Sequence, residues 1–190
     1  MPIAEITYQD LIFDPHVQEM CNSENFTCPH YGHSWACPPE APYMEQELAR
    51  FSRFFLVYFG LNLDDYVAEQ QEKHPEWSEQ FIRDSVHVGE GWKLVEDGYI
   101  SELQAFLDSY AEPFAEKFVF WCGGSCTLCE NPEDGGCTHE DGKPCRRPGE
   151  IHYSMEAVGV NVNETVKKSG IELEWPPVHW TYRIGLVCFR

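Results

Sequence analysis

Hydrophobic side chains fall in three short runs, at residues 54–59, 118–121 and 182–189, and only the last is interrupted, by Arg183 and Gly185. Each run is rich in aromatic or branched residues and too short for an independent buried helix, which is typical of strands covered on both faces. A further strand at a sheet edge is indicated by four aliphatic side chains near the N-terminus: Ile3, Ile6, Leu11 and Ile12. The pattern therefore predicts three main strands and one edge strand.

Between these runs the hydrophobic positions recur with a helical period. A short helix is expected after Pro42, because proline is well placed in the first helical turn. A longer helical region spans 75–111, and three glycines are expected to interrupt it: Gly89, Gly91 and Gly98. Asn163 and Ser154 are typical helix N-caps. Alternating apolar residues at 171–175 predict one more short strand.

This order of elements predicts an α/β fold class in a single domain spanning residues 1–190. We expect a small mixed sheet flanked by helices, with a cysteine-rich loop leaving a central strand at Trp121. In open α/β sheets, binding sites lie in the crevice beyond the carboxyl ends of the strands. The loop after Trp121 would lie there.

Composition restricts the setting of the protein. The N-terminal residues show neither the basic flank nor the apolar core of a signal peptide, and no apolar run approaches the roughly 20 residues of a membrane span. We therefore expect a cytoplasmic protein. Thirteen basic and 32 acidic residues give a formal net charge of −19, which argues against binding to nucleic acid or a membrane surface. The charge also suits docking to a basic redox partner.

Cysteine provides the main candidate chemistry. Five of the nine cysteines lie in one loop: Cys122, Cys126, Cys129, Cys137 and Cys145. An odd number excludes a fully paired set of intramolecular disulfides, and a reducing compartment favours metal binding. Only one short cysteine pair is present, whereas structural zinc usually uses two. The spacing favours an iron–sulfur cluster, most simply 4Fe–4S, and leaves zinc open; Cys122 and Cys137 compete for the fourth ligand position.

The first three cysteines of this loop also match the spacing of radical S-adenosylmethionine enzymes. Those enzymes resemble partial barrels with the motif near the start of the chain, whereas only 61 residues follow Cys129. The match is therefore discounted. Arg146 and Arg147 could bind an anionic cofactor or ligand, or form surface ion pairs.

A second cysteine group lies near the N-terminus. Cys28 and Cys37 flank His30 and His33, and Cys21 precedes them. The cysteines and histidines could ligate zinc, or the three cysteines could hold a second cluster. Alternatively, Cys28 or Cys37 completes the site of the later loop, or these residues are ordinary parts of a loop.

Both groups carry recognisable motifs. They are Cys28-Pro-x-Tyr-Gly-x-Ser-Trp-x-Cys37-Pro-Pro, Gly124-x-Cys126-x2-Cys129, Cys145-Arg146-x-Pro148 and Ser154-Met155-Glu156-Ala157-x-Gly159-Val160. In these motifs the chain resembles a family of small cysteine-rich proteins from anaerobic bacteria and archaea, described as predicted metal-binding proteins. The resemblance implies metal binding and an anaerobic setting. The family carries a further cysteine shortly before the position of Cys28, where this chain has Asn25, and its third loop cysteine follows the pair more closely than Cys137 does.

Three functions follow from these observations. The first is a cytosolic iron–sulfur protein that transfers electrons or serves a redox enzyme as an accessory protein. The second is an enzyme with a three-cysteine cluster whose open iron binds a substrate, near Arg146, Arg147 or His30. The third is a zinc-stabilised binding module. The chain contains no nucleotide-binding glycine loop, nucleophile elbow or HExxH motif.

Overall fold

An antiparallel sheet forms the centre of the protein in the computed structural model, which describes residues 2–24, 26–87, 89–130, 135–174 and 176–190. The strands are β1 (Ile3–Ile6), β2 (Asn22–Ser23), β3 (Phe26–Thr27), β4 (Arg53–Asn62), β5 (Lys117–Phe120) and β6 (Trp180–Phe189). Four of them form the main sheet in the order β1-β4-β6-β5, and β2 and β3 form a separate small hairpin. The three predicted main strands are all present.

The two longest strands pair over their whole length. β4 and β6 run antiparallel from the pair Arg53 and Phe189 to the pair Asn62 and Trp180. β5 is much shorter and pairs only with residues 186–189 of β6. Among the described residues, no strand therefore lies beside residues 180–185 on the side away from β4. We call this segment the open edge of β6.

The α/β fold class is confirmed, and two details of the expected sheet are corrected. The four strands pair only in the antiparallel sense, so the sheet is not mixed. The strand that leads into the cysteine loop, β5, lies at the edge of the sheet and not at its centre. The physical reason is that the C-terminal strand β6, which is apolar on both faces, inserts between β4 and β5 and takes the central position.

Helices cover the sheet and the ends of the strands. They are α1 (His16–Glu19), α2 (Glu45–Leu48), α3 (Leu63–Lys73), α4 (Glu79–Ser85), α5 (Gly89–Ser109) and α6 (Val162–Lys168). The longest, α5, buries Tyr99, Leu103 and Phe106 against one face of the sheet. The segment 153–160 packs on the other face with Phe54, Leu56 and Leu186. No helix in the described part of the chain is long and apolar enough to cross a membrane.

The expectation that glycines interrupt the helical region is wrong for Gly91 and Gly98, which lie inside α5, whereas Gly89 is the first residue of α5 and follows the end of α4 at Ser85. Their small size serves close packing. A Cβ atom on Gly98 would lie 2.6 Å from the ring of Phe59, and one on Gly91 would lie 2.3 Å from the carbonyl oxygen of Ser85. Glycine therefore lets α5 approach the sheet and α4 closely, which outweighs its low helix propensity.

Two further local predictions need correction. Asn161, and not Asn163, caps α6: its side-chain oxygen accepts a hydrogen bond from the Glu164 amide at 3.0 Å. The residues at 171–174 form no strand, and Trp175 lies outside the described residues. Ser154 lies one residue before Met155, the N-cap of the short 3-10 turn Glu156–Val158, and its hydroxyl oxygen accepts from the Ala157 amide at 3.2 Å.

Gly185 allows three elements to meet. A Cβ atom there would lie 1.8 Å from the Tyr99 hydroxyl and 2.5 Å from the Phe120 carbonyl oxygen. The Tyr99 hydroxyl itself donates to that carbonyl at 3.1 Å. This contact connects α5, the end of β5 and β6 at the point where the chain leaves the sheet for the cysteine loop.

We predict that Gly185→Ala lowers the free energy of unfolding by about 1–3 kcal/mol or more, because the added methyl overpacks a buried contact. Urea denaturation measures this change. Gly149→Ala is the matched control, since a Cβ atom there would contact nothing within 4 Å, and it should change stability by less than about 0.5 kcal/mol. Equal stability of the two variants would contradict the packing described here.

Candidate metal centre

The cysteine loop is fixed to the sheet at both ends. Where β5 stops, the Trp121 amide donates to the Tyr153 carbonyl oxygen at 2.9 Å, and Trp121 forms a parallel bridge with Ser154. The Trp121 ring also stacks on His152, with 4.2 Å between the ring centres. The loop between Trp121 and His152 thus begins and ends beside the end of β5. The fold positions the loop beyond the end of an edge strand.

Four cysteines of this loop line one small cavity. They are Cys126, Cys129, Cys137 and Cys145, all four partly buried. We call this space the four-cysteine cavity. Cys122 does not belong to this set and lines a different cavity. Of the two competitors for the fourth position, the structure therefore places Cys137 beside the other three.

Local hydrogen bonds bring Cys137 and Cys145 to the same cavity although seven residues separate them. The Thr138 hydroxyl donates to the Pro144 carbonyl oxygen at 3.0 Å. The Lys143 amide donates to the Thr138 carbonyl oxygen at 3.1 Å. These bonds close a short turn that begins and ends beside the two cysteines.

The three N-terminal cysteines line a second and larger cavity. Cys21, Cys28 and Cys37 share it with Glu156, and its volume is about 220 Å³. The β2–β3 hairpin brings the first two together, because the Cys28 amide donates to the Cys21 carbonyl oxygen at 2.8 Å. Burial raises the pKa of Cys21 to about 11 and also raises the pKa of Cys37. We call this space the three-cysteine cavity.

The two cavities are neighbours and share their walls. Residues 34–36 of the N-terminal group line the four-cysteine cavity, while Gly123 and Gly124 of the later loop line the three-cysteine cavity. The Cys37 sulfur lies 3.8 Å from the Ser125 hydroxyl, and the ring centres of Trp35 and His139 are 4.9 Å apart. The N-terminal cysteines and the loop cysteines thus line two adjoining spaces.

The cysteines line these cavities without forming a ready coordination group. Within the described residues, no set of three or more histidine, cysteine, aspartate or glutamate side chains is close enough to hold a metal ion as placed. A bound metal would need small shifts of the thiols toward one another. Cys126, Cys129, Cys137 and Cys145 are on loop segments, where such shifts disturb no strand or helix.

The chemistry of the four-cysteine cavity fits a thiolate-bound metal group. Its other lining residues in the described part of the chain are apolar, hydroxylic or arginine, and among them is no carboxylate or histidine. The Arg147 amide donates to the Cys145 sulfur at 3.4 Å. The indole nitrogen of Trp35, which also lines the cavity, is buried without a hydrogen-bond partner among the described residues. Sulfur ligands of metal centres commonly accept such N–H donors.

Several candidate residues lie elsewhere. Arg146 is exposed and donates to the Gly136 carbonyl oxygen, whereas Arg147 lines the four-cysteine cavity. His33 is hydrogen-bonded to Glu140, with 2.6 Å between Nδ1 and Oε1. His30 lines neither cysteine cavity. The position of Asn25 lies outside the described residues.

Sequence reasoning gave no role to Trp35, Glu156 or Arg183. Trp35 and Glu156 lie inside the motifs on which the family resemblance rests, and this position in the sequence could have identified them as candidates. Arg183 lies in an apolar strand, where a single cation is unexpected. Cys188, the remaining cysteine, lies in β6 with its side chain fully buried in the core.

Comparison with known proteins gives one family. The family model described as "Predicted metal-binding protein (DUF2284)" matches residues 4–188. No curated protein and no solved structure matches the chain.

The environment of Cys122 predicts a low thiol reactivity. Burial raises the pKa of Cys122 to about 12, while nearby Arg183 opposes part of that increase. In the folded, metal-free protein, we predict that the rate of Cys122 alkylation by iodoacetamide rises about tenfold per pH unit from pH 8 to 10, because only the thiolate reacts. Peptide mass spectrometry measures the rate. An alkylation rate that stops rising below pH 9 would contradict the raised pKa of Cys122. Cys188 serves as an internal control that should stay unlabelled until the protein unfolds.

Proposed function

Since the chain belongs to this family of predicted metal-binding proteins, we propose that it is a cytoplasmic iron–sulfur protein that transfers electrons or serves a redox enzyme as an accessory protein. The observation that carries the proposal is the presence of four cysteines in the lining of one cavity: Cys126, Cys129, Cys137 and Cys145. Four thiolates are the usual ligand set of a 4Fe–4S cluster.

The surroundings of these sulfurs support a cluster over zinc. The loop has one short cysteine pair, Cys126 and Cys129, where structural zinc usually uses two. The Arg147 amide already donates to the Cys145 sulfur, and the Trp35 indole N–H is available as a second donor. Hydrogen bonds to sulfur help to set the potential of iron–sulfur clusters. A bound cluster would supply one-electron transfer, and the chain would ligate it and limit its exposure to water.

The charge of the chain suggests the kind of partner. A formal net charge of −19 produces a negative field that steers basic proteins and repels acidic ones. We propose that the redox partner presents a basic surface. The same field disfavours nucleic acid and anionic membranes as partners.

A second candidate function rests on the three-cysteine cavity. Cys21, Cys28 and Cys37 could hold a cluster whose fourth iron lacks a cysteine ligand, and the cavity of about 220 Å³ leaves space beside them for a small molecule. Such a cluster would make the protein an enzyme. A zinc-stabilised binding module is the third candidate and would use the same four-cysteine cavity without redox chemistry.

Cysteine variants test the cluster. After anaerobic purification, we predict that Cys137→Ser loses the visible absorbance and the iron of the wild type, because it removes one of four ligands. Cys122→Ser is the matched control, since Cys122 lines a different cavity, and it should keep both. Loss of iron from Cys122→Ser together with its retention in Cys137→Ser would contradict the proposed ligand set. A colourless wild-type protein with one zinc per cavity would contradict the iron–sulfur proposal.

The wild-type iron content separates one cluster from two. Roughly four irons per chain correspond to a single 4Fe–4S cluster, and roughly eight indicate that the three-cysteine cavity also holds one. In the second case, Cys37→Ser should remove half of the iron and Cys122→Ser none.

Salt dependence tests the proposed partner chemistry. We predict that the reduced protein transfers electrons to a basic c-type cytochrome at a rate that falls at least tenfold between 10 mM and 300 mM salt, because screening weakens the attraction of opposite charges. Stopped-flow absorbance measures the rate. An acidic ferredoxin-type acceptor is the control and should react faster as salt increases. A rate to the basic cytochrome that does not depend on salt would contradict the proposal.

A further inference from the structure

A large cavity lies along the open edge of β6, away from the four-cysteine cavity. Its volume is about 410 Å³, which is in the range of small-molecule sites. It exists because β5 stops at Phe120 and leaves the edge at residues 180–185 without a neighbouring strand. Helices α1 and α6 and four later residues form most of the other walls: Ile171, Leu173, Glu174 and Pro177. We call it the edge cavity.

The edge cavity has a mainly apolar wall and one unusual charge. Aliphatic side chains from four parts of the chain contribute to it: Val17, Val166, Leu173 and Ile184. Arg183 also lines it and is only 7% exposed. An arginine is seldom buried to this extent without a partner. Its position on the central strand of the sheet is fixed by the pairing of β6 with β4.

The Arg183 guanidinium is left with unused donors. Nη1 donates to the Tyr182 carbonyl oxygen at 3.2 Å, but Nε and Nη2 are buried with no hydrogen-bond partner among the described residues. The guanidinium carbon lies 3.9 Å from the centre of the Trp92 ring. Cys122 and Glu96 are near enough to favour the charged guanidinium, yet neither forms an ion pair with it in the described structure. A buried cation with unpaired donors destabilises the folded protein unless a partner binds it.

The other charged groups of the cavity do not satisfy Arg183. Glu174 accepts hydrogen bonds from the His179 and Trp180 amides, at 3.0 and 2.9 Å. Lys167 pairs with Glu164 at 2.9 Å. Glu156 lies at the boundary with the three-cysteine cavity and lines both spaces. No carboxylate of the described residues thus accepts a hydrogen bond from Arg183 Nε or Nη2.

We propose that the edge cavity binds a small organic carboxylate, with Arg183 as its anchor. The Nε and Nη2 edge of a guanidinium matches the two oxygens of a carboxylate, and the aliphatic wall receives the apolar body of the ligand. This wall, together with the acidic surface of the protein, disfavours a hydrated dianion such as phosphate. Because Nε and Nη2 are covered by protein, binding requires a rotation of the Arg183 side chain toward the cavity. The rotation changes its contact with Trp92.

Titration of the anaerobically purified full chain with acetate, butyrate and hexanoate tests the proposal. We expect saturable binding, measured by calorimetry in a buffer free of carboxylates, that strengthens about fourfold per added methylene. Butanol and inorganic phosphate should bind at least tenfold more weakly than butyrate. Tryptophan fluorescence should change on binding, and Trp92→Phe should remove most of that change. Absence of saturable carboxylate binding, or equal binding of phosphate, would overturn the proposal.

Variants of the arginine distinguish an anchor from a structural group. Arg183→Met should weaken hexanoate binding at least tenfold while leaving the urea midpoint unchanged or raised, because an unpaired buried charge is removed. Arg183→Lys keeps the charge and loses the two-pronged geometry, so it should also weaken binding. Arg53→Met is the control: Arg53 also lies over an aromatic ring but pairs with Glu5 and Glu112, and binding should be unchanged. Wild-type affinity in both Arg183 variants would overturn the assignment.

Discussion

The unequal lengths of β5 and β6 determine most of what is distinctive in this protein. β6 has ten residues and β5 has four, and the contact of Tyr99, Phe120 and Gly185 marks the point where pairing ends. Beyond that point the chain leaves the sheet as the cysteine loop, and one edge of β6 stays open. Both the four-cysteine cavity and the edge cavity are therefore consequences of a short edge strand.

Apart from Cys188 in the core, the cysteines separate into three environments that differ in physical character. The four-cysteine cavity holds half-buried thiols on loops, with N–H donors nearby and no carboxylate among the described residues that line it. The three-cysteine cavity is larger and includes Glu156. Cys122 lies apart, beside a buried arginine, and burial raises its pKa. The five cysteines of the loop therefore do not share one environment, because Cys122 lies apart from the other four.

The arrangement also suggests how metal chemistry and ligand binding could be combined. Glu156 lines both the three-cysteine cavity and the edge cavity, so the two spaces are immediate neighbours. The four-cysteine cavity shares walls with the three-cysteine cavity through residues 34–36 and 123–124. The three spaces follow one another along the end of the sheet. A redox centre and a bound small molecule would accordingly lie close together without sharing ligands.

The sequence by itself determined the α/β class, the three apolar strands and the importance of the cysteines, because short apolar runs and the spacing of thiols are local properties of the chain. It also contained the motifs that place the chain in its family. Only the tertiary structure decided that β6 lies between β4 and β5 and that Gly98 allows close packing. It also decided that Cys137, and not Cys122, lines the same cavity as Cys126, Cys129 and Cys145. These depend on strand order and on contacts between distant residues, which no local pattern records. Arg183 is the clearest case: in the sequence it is one cation in an apolar run, and only the open edge of β6 gives it a cavity and unpaired donors.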